Sequence, residues 1–228
     1  MDARTTETTI PTAGVRLTAD LVSPDGAVGI VLFAHGSGSS RRSPRNVAVA
    51  RSLTGAGLGT VLVDLLTPEE EQVDLRTAEL RFDIPLLADR LAGVVDWLAA
   101  GGAGPPLPIG LFGASTGAAA ALVAAARRPD SVPAVVSRGG RPDLAGPDLS
   151  GVRAATLLLV GELDGEVVRL NEQAAAALPG LVELRIVPGA THLFEEPGAL
   201  EEVARQAGDW FVTQLSSAAA ARPGPPPG

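Results

Sequence analysis

The chain has 228 residues, 46% hydrophobic and 19% charged, with a formal net charge of −8, no cysteine, and arginine as its sole strongly basic residue. The negative balance disfavours nucleic acid and anionic membranes as partners, and the lack of thiols removes disulfide and thiolate–metal chemistry. The length suits one large domain with a sizeable core.

Taken in order, the first ten residues, MDARTTETTI, carry no apolar signal region. No later stretch reaches the roughly 18 uninterrupted apolar residues of a membrane span, so a soluble cytoplasmic protein is expected. Residues 5–10 and 15–22 read as two strands joined by Pro11–Gly14, an antiparallel edge. Residues 28–34, VGIVLFA, form the continuous apolar run of a strand buried on both faces, and it ends in His35-Gly36-Ser37-Gly38. A glycine-rich loop there lets backbone N–H groups approach a ligand, and the Ser37 N–H is the candidate for one oxyanion donor. His35, held between the strand and Gly36, is expected to shape that loop.

Residues 43–56 read as a helix stopped by Gly57, and residues 59–65 as the next strand, ending near Asp64, a solvated loop carboxylate on this reading. Glu69, Glu70 and Glu71 form an acidic run without an accompanying histidine, which favours helix-start charge or a wet face over a metal site. A long helical pattern follows over residues 76–100, with an interruption expected near Pro85.

Residues 107–128, LPIGLFGASTGAAAALVAAARR, are the most informative stretch. An apolar run breaks at Gly113, an alanine-rich helix opens at Gly117, and Ser115 sits on the corner between them. In G-x-S-x-G the serine is strained and exposed, and the helix N-terminus favours negative charge developing beside it. The Thr116 N–H is the candidate for the second oxyanion donor. Strand-like runs at 133–137, 155–160 and 181–187 follow, each leading into a polar loop. The loop at 161–165 carries Glu162 and Asp164, and the loop at 188–192 ends in His192. A helix is expected over about 199–215, and the Pro/Gly-rich segment 216–228 is expected to be a disordered tail after a single domain of residues 1–215.

Alternation of strands and helices predicts a mostly parallel α/β sheet. In such a sheet the strand C-termini share one edge, so Ser115, Asp164 and His192, each following a strand, can meet. A serine hydroxyl needs a base, and an imidazole needs a carboxylate to orient it. Of the two histidines only His192 follows the serine, which makes it the base. Asp164 competes with Glu162, Asp143 and Asp148 for the acid and is favoured by its place after the penultimate strand. The order Ser, Asp, His along the chain is that of α/β-hydrolases.

At His35-Gly36-Ser37-Gly38, Gly113-Ala114-Ser115-Thr116-Gly117, Gly161-Glu162-Leu163-Asp164 and Gly189-Ala190-Thr191-His192-Leu193-Phe194, the chain resembles the α/β-hydrolases, and within them the dienelactone hydrolase-like family, over residues 5–215. The resemblance implies an eight-stranded sheet with helices on both faces. It also implies the roles of oxyanion loop, nucleophile elbow, acid loop and base loop for these four segments; no cofactor is expected. The enzymes that gave the family its name use a cysteine, and Ser115 in its place favours ordinary ester hydrolysis over a dienelactone substrate. Acyl transfer by the same triad and a non-catalytic binding module are the alternatives.

The segment 138–154 is too short for a lid domain, which points to small soluble esters or lactones. Two loops at the same edge carry Arg41, Arg42 and Arg45, and Arg138 and Arg141. They are read either as solvated or salt-bridged, with Glu69–Glu71 as partners, or as binders of a substrate anion, with Arg45 and Arg138 as the candidates.

Overall fold

The computed structural model describes residues 4–221. Its strands are β1 (Thr6–Thr12), β2 (Val15–Val22), β3 (Ile30–Ala34), β4 (Gly59–Val63), β5 (Ile109–Ala114), β6 (Ala134–Arg138), β7 (Ala155–Gly161) and β8 (Val182–Val187). They form one eight-stranded sheet in the order β1-β2-β4-β3-β5-β6-β7-β8. The β1–β2 hairpin is antiparallel and β2 meets β4 antiparallel, while every pair from β4 onward is parallel.

The helices are α1 (Pro44–Gly55), α2 (Pro68–Thr77), α3 (Ile84–Ala99), α4 (Thr116–Arg127), α5 (Gly165–Ala177) and α6 (Ala199–Ala221). Strand side chains alternate between the two faces of the sheet, and the core divides accordingly. Ile30, Leu32, Leu111, Val135 and Leu158 pack with α3 and α4, whereas Val31, Phe33, Phe112, Val136 and Leu157 pack with α1 and α6. Phe33 and Phe112, paired in register across β3 and β5, have ring centroids 4.9 Å apart. The alanines at the start of α4 are fully buried, so the short side chains let the helix lie close against the sheet.

Local signals account for the helix boundaries. Thr67 and Glu70 form a reciprocal capping box at the start of α2, with Glu69, Glu70 and Glu71 in its first turn. The acidic run is therefore helix-start charge. The pattern over 76–100 is not one helix: α2 ends at a left-handed Ala78, a 3-10 turn spans Leu80–Phe82, and Asp83 caps α3 with Pro85 in its first turn. Proline is tolerated there because the first N–H groups have no intrahelical acceptor. At the other end, α6 continues through Ser216 and Ser217 to Ala221, past the boundary expected at 215, since alanine is the strongest helix former. The rest of the expected tail, residues 222–228, lies outside the described residues.

Between β6 and β7 the chain forms only a 3-10 segment, Pro142–Gly151, and no lid is evident among the described residues. No helix among them is long and apolar enough to cross a membrane.

Candidate active site

The parallel strands β3, β5, β6, β7 and β8 deliver five loops to one edge. Ser115 ends β5 and begins α4 with φ 51° and ψ −123°, a conformation that L-residues rarely adopt. What holds it there is close packing on both sides. A Cβ at Gly113 would lie 2.4 Å from the Ala118 Cα, and one at Gly117 would lie 2.3 Å from the Ala34 carbonyl oxygen. Neither position tolerates a side chain, which is why the strain falls on the residue between them. The Ser115 N–H donates to the Arg138 carbonyl at 3.2 Å, and its carbonyl accepts from the Arg141 N–H at 3.1 Å. The elbow is thus tied to the end of β6.

The acid and base loops are tied to each other. The Leu163 N–H donates to the Ala190 carbonyl at 2.9 Å, and the Gly189 N–H donates to the Glu162 carboxylate at 2.8 Å. This leaves Asp164, at the N-terminus of α5, facing His192: Nδ1–H donates to Asp164 Oδ2 at 2.6 Å. With Nδ1 engaged, Nε2 is the free ring nitrogen. Thr191 donates both N–H and hydroxyl to Glu196, fixing the base loop from its other side. The ring reaches the serine's neighbourhood, since a Cβ at Gly139, one residue beyond the carbonyl that binds Ser115, would lie 3.6 Å from His192 Cε1.

The competing acids have other partners. Glu162 is used on the Gly189 N–H, and Asp143 forms a two-pronged pair with Arg141 at 2.8 Å on each prong. Asp148 lies exposed in the 3-10 segment.

The oxyanion loop packs against the elbow, a Cβ at Gly36 falling 3.1 Å from Ser115 Cβ. His35 shapes this loop. Its Nδ1–H donates to the Gly36 carbonyl at 3.0 Å, and its Nε2 accepts from the Leu65 N–H at 3.2 Å. Burial pushes its pKa down from the usual 6.5, so the neutral ring that this pairing requires is the stable one. The two candidate oxyanion donors differ in state. Thr116 opens α4, so its N–H has no acceptor within the helix, whereas the Ser37 N–H donates to the Thr116 hydroxyl at 2.9 Å. That side-chain tie has no signal in the sequence. A cleft of about 160 Å³ opens beside the loop, lined by Ser37, Gly38, Glu71, Asp74, Leu75 and Arg81. Neither this cleft nor a larger one of about 650 Å³, against α1, β2 and β4, is lined by Ser115 or His192.

The arginines expected at this edge separate. Arg41 binds Asp64, Asp20 and Glu7, so its partners are not Glu69–Glu71, and Asp64 is an anchor for the loop instead of a solvated carboxylate. Glu70 pairs with Arg90. Arg42 is exposed. Arg45 meets Glu195 at 3.1 Å. Arg138 is only 8% exposed, and its Nε and Nη1 are shut off from solvent without a hydrogen-bond partner.

No family model matches the chain. It is similar to the crystal structure of dienelactone hydrolase from Anabaena variabilis, with 56% identity over 94% of this chain and 100% of that one and a TM-score of 0.93. Est1E from Butyrivibrio proteoclasticus shares the fold at 16% identity and a TM-score of 0.74, over 92% and 99% of the two chains. A Mycobacterium tuberculosis protein named "Putative phosphoribosyl transferase" is 58% identical over 206 residues, 90% of this chain. The chain spans only 44% of the length of that relative. An eight-stranded sheet of this order, a strained serine between β5 and α4, and majority identity across the full length of a solved relative lead to one conclusion: the chain belongs to the dienelactone hydrolase-like family of α/β-hydrolases.

Proposed function

We propose that the chain is a serine hydrolase that cleaves small carboxylic esters or lactones through an acyl-enzyme. The observation that carries this reading is the His192–Asp164 pair, 2.6 Å long, at the same sheet edge as the strained Ser115. In the proposed reaction the Ser115 Oγ attacks the ester carbonyl while His192 Nε2 takes its proton, and Asp164 stabilises the imidazolium through Nδ1–H. The Thr116 N–H receives the oxyanion, joined by the Ser37 N–H as it turns from the Thr116 hydroxyl. The tetrahedral intermediate collapses by breaking the C–O bond, with His192 returning the proton to the departing oxygen. Water then repeats the sequence on the acyl-enzyme, releasing the acid and restoring the serine.

Substrate size follows from the lack of a lid among the described residues. Long acyl chains would find little apolar cover. Phosphoribosyl transfer by this segment is the reading suggested by the name of the longer relatives. Hydrolysis is favoured because a strained serine with a carboxylate-oriented imidazole serves acyl chemistry.

The test is a series of p-nitrophenyl esters of increasing chain length, with wild type and Ser115→Ala compared. Turnover should be greatest for the short acyl chains, and the variant should lose on the order of 10⁴-fold in kcat. Retention of more than a few per cent of activity in the variant would overturn the assignment of the nucleophile.

A further inference from the structure

Arg138 is the last residue of β6, and its carbonyl holds the Ser115 N–H. Counting along the strand, its side chain shares a face with Ala134 and Val136, on the side packed by α1 and α6. Arg45, in the first turn of α1, lies close enough for the two charges to repel. Burial first, and then repulsion from Arg45, lowers the Arg138 pKa to about 10. At neutral pH it is still a cation. The described structure thus keeps two guanidiniums within electrostatic reach of each other, one of them on the residue whose carbonyl holds the Ser115 N–H. The Arg45 Nε is also buried without a partner, and the one carboxylate paired with Arg45, that of Glu195, is 64% exposed.

Of the other arginines at this edge, Arg41 is held by three carboxylates and Arg141 by Asp143, while Arg42 is exposed to solvent. A buried guanidinium is costly unless a counter-charge and its hydrogen bonds come with it. Its planar fork matches a carboxylate or phosphate in two parallel bonds. Gly139, which follows Arg138, packs against His192 and Phe194, and Arg45 pairs with Glu195, three residues past His192, so an anion held here would lie near the base loop.

We propose that Arg138, assisted by Arg45, is a binding site for an anionic group, a carboxylate or a phosphate, carried by the substrate on the α1 side of Ser115. Anion binding itself is independent of the hydrolase reading; only the assignment of the anion to the substrate rests on it.

The experiment has two arms. In the first, thermal unfolding of the full chain is followed while inorganic phosphate or succinate replaces chloride at constant ionic strength. The midpoint should rise with phosphate if the site takes phosphate and with succinate if it takes a carboxylate, and the rise should vanish in Arg138→Met and shrink in Arg45→Ala. Should Arg138→Met fail to fold, Arg138→Lys, which keeps the charge and loses the fork, should show a weakened response. In the second arm, kcat/KM is compared for a p-nitrophenyl ester bearing a free carboxylate, one bearing a phosphate, and a neutral ester of the same size. The preference for the matching charged ester should fall by about 10- to 150-fold in Arg138→Met. A wild type stabilised by neither anion, or a rise that persists in both Arg138 variants, would overturn the site. Stabilisation that depends on Arg138 in a protein with no ester turnover would uphold the site and sink the hydrolase reading. An equal loss on charged and neutral esters would show that Arg138 supports the loop and holds no substrate anion.

Discussion

Two arginines of this chain are almost equally buried, Arg90 at 2% exposure and Arg138 at 8%, yet their surroundings are opposite. Arg90, in α3, donates to the Leu65 carbonyl at 2.6 Å and to both oxygens of Glu70. Arg138 leaves both Nε and Nη1 without a partner, where Arg90 leaves only Nε. The contrast extends to the regions around them. Where β1, β2, α2 and α3 come together, Thr12 donates to the Arg90 carbonyl, Arg81 pairs with Asp74, and Asp83 caps α3. At the C-terminal edge of the parallel strands lie Ser115 and Phe194, both at positive φ, and the two guanidiniums. A buried cation without a carboxylate lies at this edge, whereas the buried cation of the other region is paired; positive φ occurs in both regions, at Ala13 and Ala78 as well as at Ser115 and Phe194.

The largest effect that separates these regions should come from the edge and should fall on activity alone. His192→Ala is expected to cost on the order of 10⁴-fold in kcat, and Asp164→Asn somewhat less, with the unfolding midpoint nearly unchanged. Steady-state kinetics beside thermal unfolding would check it. A large drop in midpoint would mean that the edge is structural after all and would erase the comparison.

The next effect should come from the paired region and fall on stability. Arg90→Met removes the partner of Glu70 and a donor to the Leu65 carbonyl, and should destabilise by about 3 kcal/mol in denaturant unfolding at pH 7. Its pH dependence has a definite sign. Hydrogen bonding from Arg90 holds the Glu70 carboxyl below its usual 4.5, so the contribution is fully present above that value. It is lost as pH falls through the folded-state pKa, and the deficit of the variant should shrink on acidification. A deficit independent of pH would assign the loss to packing instead of the ion pair.

A smaller effect tests the border between the regions. His35 pins the oxyanion loop to Leu65 only while Nε2 is unprotonated. Because burial lowers its pKa, the unfolded chain binds its proton more readily, and stability should fall as pH drops below about 6.5. His35→Gln should abolish that acid-side loss at the cost of roughly 1 kcal/mol at pH 7, where one hydrogen-bond acceptor is gone. Unfolding curves of both proteins across this pH range would show it, and parallel curves would contradict the role.

Much of this was legible in the sequence, for reasons that differ by residue. Ser115, Asp164 and His192 could be placed together because a parallel sheet forces loops after its strands to one edge, and the glycines flanking Ser115 report a close approach that geometry demands. The Glu69–Glu71 run was legible as helix-start charge or a wet face, and Thr67 and Pro68, which settle it as a helix start, are identified by the fold. Ion pairing was not legible. That Asp64 takes Arg41, that Glu70 takes Arg90, and that Arg138 is left alone all depend on which elements become neighbours. Helix α5 escaped notice because it buries only Val167, Asn171 and Ala174, too thin a stripe to produce a clear apolar period. The tie between the Ser37 N–H and the Thr116 hydroxyl links residues far apart in the chain and has no local signature.

The central claim is that Ser115 is a nucleophile activated by His192, and covalent labelling with a serine-directed phosphonate reads it without a substrate having to be identified. Mass spectrometry of the labelled full-length chain should place one phosphonyl group on Ser115. Labelling should slow greatly in His192→Ala and be absent from Ser115→Ala. A label on another serine, or an equal rate of labelling in His192→Ala, would contradict the account.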